Sequence, residues 1–496
     1  MAYLNPTGNL SPFEEVVPAA ARVHGLSRSS ILGSRRQART SPQSGQNYGS
    51  AGANGGGSQI QGLIADQGGL VDMRTIKFNY FIQTTGSGSC PEDGHPFTTV
   101  QILLNGQLLE NLQNAMKVAN IETKLGASQS YYKTAGSFQG YELLNSDLNS
   151  STTGAKWGAV TQNVADLAAR AQKAASVQTN NYAGEPRSVP LSAFSGVGRM
   201  KQYLPISLLG ELQFILITGT AGEVVFNATT SVTVGATAGD YSLSGFNIEY
   251  DVVVPDPRYS AVLQKLASDP NEGGLVIPFE STICTSGAAV SASVTALSET
   301  SIILSRATSH LLRTSLVLIP NTATQSTGWP SQSCFSHAGA WSYQNRIGSM
   351  VYPQIPAQGD AAMFNLALQA YGSPTEENGS CINRMLWGQS SALSATQAAP
   401  AYYESPQVAC SATPATTGAG TLACYADSFI PSYGFRVVKG DAEELDVDGV
   451  NLSAASGSQL ITTLVAAPPI AYTPYVSLVA LKFIRANGGA VTVDGA

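Results

Sequence analysis

From residue 70 onward, apolar and polar residues alternate along much of the chain. In TIKFNYFIQ, Ile76, Phe78, Tyr80 and Ile82 fall on one side, with Lys77, Asn79 and Gln83 on the other. That period of two is the pattern of a half-buried strand. Val100, Ile102 and Leu104 alternate into Asn105-Gly106, a dipeptide whose residues tolerate positive φ and so close tight hairpins. The stretch NLQNAMKVANIETKL, 111–125, predicts a short helix, and ELQFILIT, 211–218, another strand. In FNIEYDVVV, Phe246, Ile248, Tyr250, Val252 and Val254 share one face. Pro255 ends that ladder because it has no N–H to donate.

The pattern then changes period. Asp256-Pro257 begins a helix in which Tyr259, Val262, Leu263 and Leu266 recur at helical spacing. A second series of strands follows: LVIPFEST, TSIILSRAT, HLLRTSLVLIP, YQNRIGSMVYP and YVSLVALKFI. One further helix, DAAMFNLALQAYG, 360–372, interrupts them and is closed by Gly372. Strand clusters spaced in this way predict a mainly β chain of two antiparallel sandwiches in tandem with a few short helices, rather than a parallel α/β sheet. The boundaries read as a flexible N-terminal arm over 1–60, a first sandwich over 61–256, a linker helix and turn over 257–275, and a second sandwich over 276–496. The arm is assigned because SRRQARTSPQSGQNYGSAGANGGGSQ is Gly-rich and polar, with too little apolar surface to offset its ordering entropy. Ala/Ser/Thr-rich stretches at 125–185 and 370–425 interrupt the two sandwiches, and their strands cannot be assigned from pattern.

At 496 residues the chain is long enough for several domains and a large core. Charged residues make up only 12 % of it, about half the usual share. Gly, Ser, Thr and Ala fill the difference. A neutral, hydroxyl-rich surface suits faces that are covered by other copies, since charge is depleted at the centre of interfaces. It equally suits a secreted β-protein. Net charge is −7, which speaks against a folded body that wraps nucleic acid. Residues 1–50 run the other way: Arg22, Arg28, Arg35, Arg36 and Arg39 stand against Glu14 and Glu15, a balance of +3 that leaves −10 for the rest. Of these, Arg28, Arg35, Arg36 and Arg39 are the candidate contacts of the arm, either to a genome or to neighbouring subunits.

Candidate chemistry is sparse. His24, His95, His310 and His337 have no neighbour at metal-ligand spacing, and His310 reads as a strand residue. There is no G-x-S-x-G, P-loop or H-E-x-x-H motif. The acidic run Asp441, Glu443, Glu444, Asp446 and Asp448 is the one candidate cation site; its glycine comes too early for an EF-hand, and a solvated loop is the expected reading. Six cysteines, Cys90, Cys284, Cys334, Cys381, Cys410 and Cys424, form no C-x-x-C. The last four could pair, but buried free thiols are expected in a reducing compartment. The start, MAYLNPTGNLSPFEE, has neither a basic lead nor an apolar core, so synthesis in the cytosol is expected. No apolar run is long enough to span a membrane. No catalytic residue, metal or cofactor is assigned.

Four segments together resemble one family. VQILLNGQLLENLQN, 100–114, is similar to an early hairpin with an N-G turn. The stretch 187–217 carries Tyr203-Leu204-Pro205 and a Leu209-Gly210 entry to a strand. YSLSGFNIEYDVVVPDPRYSAVL, 241–263, looks like a closing strand followed by a helix. YQNRIGSMVYPQIPAQGDAAMFNLAL, 343–368, looks like a strand ending in Tyr-Pro before a helix. In this order and spacing the chain resembles the double jelly-roll major capsid proteins of polinton-like viruses and virophages, and more distantly those of other eukaryotic DNA viruses. The resemblance implies two eight-stranded antiparallel jelly rolls, with 125–185 and 370–425 as outward insertions. It implies a non-catalytic subunit that forms homotrimers, pseudo-hexameric capsomers and an icosahedral shell in the virion. Penton and minor capsid proteins would be its partners, and the arm would touch packaged DNA weakly. Deletion of residues 2–55 is then expected to leave a folded trimer. The alternative is a secreted or surface β-sandwich of adhesin or lectin type, which normally needs an export signal. A hydrolase with dispersed catalytic residues, and one jelly roll with a projecting domain, are the further readings.

Overall fold

A computed structural model describes residues 33–49, 58–65, 68–85, 89–91, 94–128, 131, 134–141, 184–227, 240–268, 275–291, 297–305, 308, 310–321, 332, 335, 337, 339–371, 382, 387, 392–393, 409–412, 422–425, 428–436, 449–452, 459–466, 471–487 and 490–494. Eight strands build the first sandwich. They are β1 (Gly33–Thr40), β2 (Gln59–Ile64), β3 (Leu70–Thr85), β4 (Phe97–Leu104), β5 (Gln107–Gln113), β6 (Glu185–Pro190), β7 (Leu212–Thr218) and β8 (Asp240–Pro255). One sheet has the order β1-β8-β3-β6, the other β2-β7-β4-β5. Eight more build the second: β9 (Leu275–Ser286), β10 (Ser298–Ser305), β11 (Leu311–Pro320), β12 (Ala340–Ile347), β13 (Met350–Gln358), β14 (Ser432–Gly434), β15 (Gln459–Ala466) and β16 (Tyr472–Asn487). Their sheets run β9-β16-β11-β14 and β10-β15-β12-β13. Adding eight to each strand of the first sandwich reproduces the second, so the two have one topology. This strand order is the jelly roll, and all the ladders within the two sandwiches are antiparallel.

The alternation read from sequence is the alternation of burial. Ile76, Phe78, Tyr80 and Ile82 all face the core. Phe78 sits at its centre, with the rings of Phe97, Phe194, Phe214 and Phe246 each within about 6.2 Å of it. The hairpin between β4 and β5 turns on Asn105 (φ 48°) and Gly106 (φ 76°), the two positive angles that the dipeptide predicts. One continuous apolar core runs through both sandwiches.

Three helices matter for the arrangement. α1 (Ala115–Gly126) follows β5, α2 (Pro257–Ser268) links the sandwiches, and α3 (Gly359–Tyr371) follows β13 in the position that α1 holds after β5. Asp256 caps α2 by accepting from the Arg258 N–H at 2.8 Å. Its apolar stripe is narrower than the spacing implied: Leu263 is buried, while Val262 is exposed. α1 begins later than its pattern suggests, because 111–113 still pair as the end of β5.

The largest departure concerns residues 1–60. β1 lies inside that stretch and β2 begins at its end. β1 pairs with β8 from Gly33–Pro255 to Thr40–Ile248, and β2 pairs with β7 from Gln59–Ile217 to Ile64–Leu212. Among the described residues the first sandwich therefore begins at Gly33, not at 61, and residues 33–49 and 58–64 belong to it. GSRRQART shows no apolar face because, among the described residues, β1 is a sheet edge that pairs with β8 alone, and Arg35 and Arg39 find partners there.

Candidate functional site

Among the described residues, the histidines are structural. His95 Nδ1 accepts the Phe97 N–H at 3.2 Å, and its ring packs on Phe194. Burial pushes its pKa down to about 3, so it stays neutral. His337 repeats the arrangement in the second sandwich: Nδ1 accepts the Ala340 N–H at 3.2 Å and the ring packs on Phe429. Its other nitrogen lies 2.7 Å from Asp360 Oδ1. A His–Asp pair of this kind can serve a nucleophile, but here the nitrogen that would take the proton is already bound to a backbone N–H. His310 precedes β11, with its ring edge-on to Phe483. His24 and the acidic run 441–448 lie outside the described residues. No cluster of three or more metal-ligating side chains occurs among the described residues. No helix among them is long and apolar enough to cross a membrane. Cys284 is a buried free thiol whose pKa burial raises to about 12. Cys410 and Cys424 are register partners across two short strands, 409–412 and 422–425.

The candidate arginines do not form a free basic patch. Arg28 lies outside the described residues. Arg35 donates to Asp251 on β8 at 2.7 Å and also faces Asp72 on β3. Arg39 stands 4.0 Å from Glu249 on β8. Arg36 lies on the same edge strand and is exposed. The grouping 35, 36 and 39 thus lies along the sheet edge, where Arg35 and Arg39 meet carboxylates of the same sandwich. The partners on β8 lie some two hundred residues away in sequence, so local pattern holds no signal for them.

The polar chemistry is concentrated where the sandwiches meet. β9 packs beside β5, and a connection of two short 3-10 turns, Leu191–Ala193 and Val197–Arg199, closes over the joint. Glu110 of β5 accepts the Thr282 N–H of β9 at 2.6 Å, the Gly196 N–H at 3.3 Å and the Ser195 hydroxyl. Burial raises its pKa, and these donors oppose the rise. Gly196 is required there: a Cβ on it would meet the Glu280 carbonyl oxygen at 2.1 Å. α1 is buried from Ala115 to Leu125, charged residues included. Lys117 donates to Gln332 at 2.6 Å, Lys124 lies over the Phe335 ring, and Glu122 holds Arg313 at 2.5 Å and Arg199 at 3.3 Å. The Tyr371 hydroxyl donates to Glu122 at 3.2 Å, and Arg313 stacks 4.3 Å from the Tyr371 ring centre. Glu280 completes the network with Arg199 and Arg436. Burial raises its pKa, but Arg313, Arg199 and Arg436 outweigh that and hold it below the ordinary value. Charges on a helix usually mark a solvated face, and nothing in the sequence marked α1 as a wedge between two sandwiches.

Large apolar side chains remain uncovered on the second sandwich. Ile303, Trp341, Met350 and Ile355 are 50–79 % exposed. Such a distribution fits a surface that other protein covers.

No protein-family model matches the chain, and no curated protein matches it either. Solved structures do. PBCV-1 VP54, fitted into a cryo-EM reconstruction of the virophage Sputnik, aligns at TM-score 0.52 and 12 % identity over 94 % of this chain and 98 % of that one. The Sputnik virophage structure itself aligns at TM-score 0.52 and 11 % identity, covering 94 % and 89 %. The Faustovirus major capsid protein aligns at TM-score 0.52 and 10 % identity, covering 92 % and 91 %. At such identities the likeness is one of architecture. Together with the strand orders above, it makes the fold of this chain the double jelly roll of viral major capsid proteins.

Proposed function

We propose that the chain is a major capsid protein: a non-catalytic subunit that forms homotrimers, which act as pseudo-hexameric capsomers in an icosahedral shell. The observation that carries this reading is the complete repetition of one eight-stranded sandwich in a single chain. Two similar sandwiches in each of three subunits present six similar sides, a shape that tiles a lattice. A low share of charge favours repeated burial of the flanks, because unpaired ions are costly to desolvate. Many copies acting together then make a shell firm even where each contact is weak. On this reading the protein resides in the virion, after synthesis in the host cytoplasm, and meets penton and minor capsid proteins at shell vertices and seams. Weak contact with packaged DNA falls to the arginines of the N-terminal stretch, Arg28, Arg35, Arg36 and Arg39.

Light scattering on the purified full chain tests the proposal. The expected mass is about three times 51.6 kDa, or that of larger shells visible by electron microscopy. A protein that stays monomeric at every concentration overturns it.

A further inference from the structure

A second group of buried polar side chains lies inside the first sandwich, apart from the joint. Tyr80 of β3 and Arg187 of β6 are register partners, and Glu185 stands opposite Ile82 on the same two strands. Two segments close over them: Gly94-His95, which leads into β4, and Gly140-Tyr141, which follows the turn Ala135–Gln139. The Gly94 N–H donates to the Gly140 carbonyl at 2.7 Å, and the Arg187 guanidinium donates to the Gly94 carbonyl. The approach is close: a Cβ on Gly140 would stand 2.7 Å from Arg187 Nη1, and one on Gly94 2.9 Å from the Tyr141 ring. Tyr80, His95, Tyr141, Glu185 and Arg187 are each only 1–2 % exposed. Arg187 lies within electrostatic reach of all three rings, and Tyr80 of Tyr141. Yet the Tyr80 hydroxyl, the Tyr141 hydroxyl and His95 Nε2 make no hydrogen bond among the described residues. Thr123, near Tyr141, spends its own hydroxyl proton on the Ala119 carbonyl at 2.6 Å. Other buried phenols are bonded: Tyr241 donates to the Gly219 carbonyl at 2.5 Å, and Tyr343 accepts from Asn345 at 2.9 Å. Buried polar groups without partners are rare, and here three of them share one place.

We infer that the Tyr80 hydroxyl, the Tyr141 hydroxyl and His95 Nε2 line a binding site for an internal water molecule. The donor set selects the ligand. His95 Nδ1 accepts the Phe97 N–H, so the neutral ring carries its proton on Nε2 and can only donate there. The ligand must therefore accept. Each phenol can donate or accept. The positive charge of Arg187 repels a cation. Glu185, 3.6 Å from Arg187 Nε, cancels that charge and leaves none over to hold an anion in the interior. What remains is a small neutral molecule that both accepts and donates. Water meets this, and buried waters typically bind about three polar groups. The place gives the site its role. Tyr141 and Gly184 bound the stretch 142–183, and Glu185 and Arg187 follow directly after it. A water shared by Tyr141, Tyr80 and His95 ties the near foot of that stretch to β3 and to the entry of β4, beside the strand on which the far foot returns. The inference does not depend on the capsid reading.

Tyr80→Phe and Tyr141→Phe in the full chain, each followed through chemical denaturation, test the site by the sign of the effect. A hydroxyl that holds a water stabilises the fold, so each variant is expected to lower the folded-to-unfolded ratio about five- to thirtyfold. A hydroxyl buried with no partner is a cost to the fold, and removing it raises the ratio. An unchanged or raised ratio in either variant overturns the inference. A high-resolution crystal structure of the unmodified chain is the second measurement. It is expected to show a density peak about 2.6–3.2 Å from all three atoms. No peak there overturns the inference whatever the variants do. An anomalous peak at that position in crystals grown with bromide identifies an anion and overturns it as well.

Discussion

Glu110 and Glu122 hold the joint between the sandwiches, each by several partners at once. Glu122 is buried and faces Arg313, Arg199 and the Tyr371 hydroxyl. Glu122→Ala strands the Arg313 guanidinium in the interior and is expected to cost about 3–5 kcal/mol in chemical denaturation. Glu280 gives the pH dependence. Its folded pKa lies below its ordinary value because three guanidiniums outweigh the effect of burial. The charged form therefore stabilises the fold above the unfolded pKa, and that stability is lost as pH falls through the folded one. The thermal midpoint is expected to drop through the acid range in the unmodified chain and to drop less in Glu280→Gln. None of these partners was legible in sequence: 110 meets 282 and 122 meets 313, and only packing brings them together.

Among the elements, period-two runs were the most readable. β3, β4, β7 and β8 lie where the alternation places them, because one face of each enters a core that water cannot reach. Phe78→Ala in β3 removes the ring around which four others pack and is expected to cost about 3–5 kcal/mol. β1 was the least readable. An edge strand needs no apolar face of its own, and its arginines resemble those of a tail until Asp72, Glu249 and Asp251 are seen beside them. Deleting residues 2–45 takes β1 away and bares the backbone of β8 along Ile248–Pro255. It is expected to lower the thermal midpoint and promote aggregation, rather than to leave an intact trimer as a free arm would.

In the molecule as a whole, the repetition of one strand order is the dominant fact. It extends to small features: His95 and His337 cap equivalent strands, each with a ring packed on a phenylalanine, and α1 and α3 follow equivalent hairpins. The halves nevertheless differ where they meet. α1 is buried from Ala115 to Leu125, whereas α3 buries Met363 and Ala367. This asymmetry separates the helix wedged into the joint from the one that follows the equivalent hairpin of the second sandwich.

Alternation, turn dipeptides and a thin supply of charge carried the class of this protein in its amino-acid order alone, since each acts through neighbours a few residues apart. Joint order of four segments was enough to point to two jelly rolls. Which strand starts the first sandwich, which charges are spent inside it, and which helix is wedged between the halves were decided only by the tertiary arrangement. Those outcomes depend on residues far apart in the chain, and an arginine facing water reads the same as one facing an aspartate until the sheet has formed.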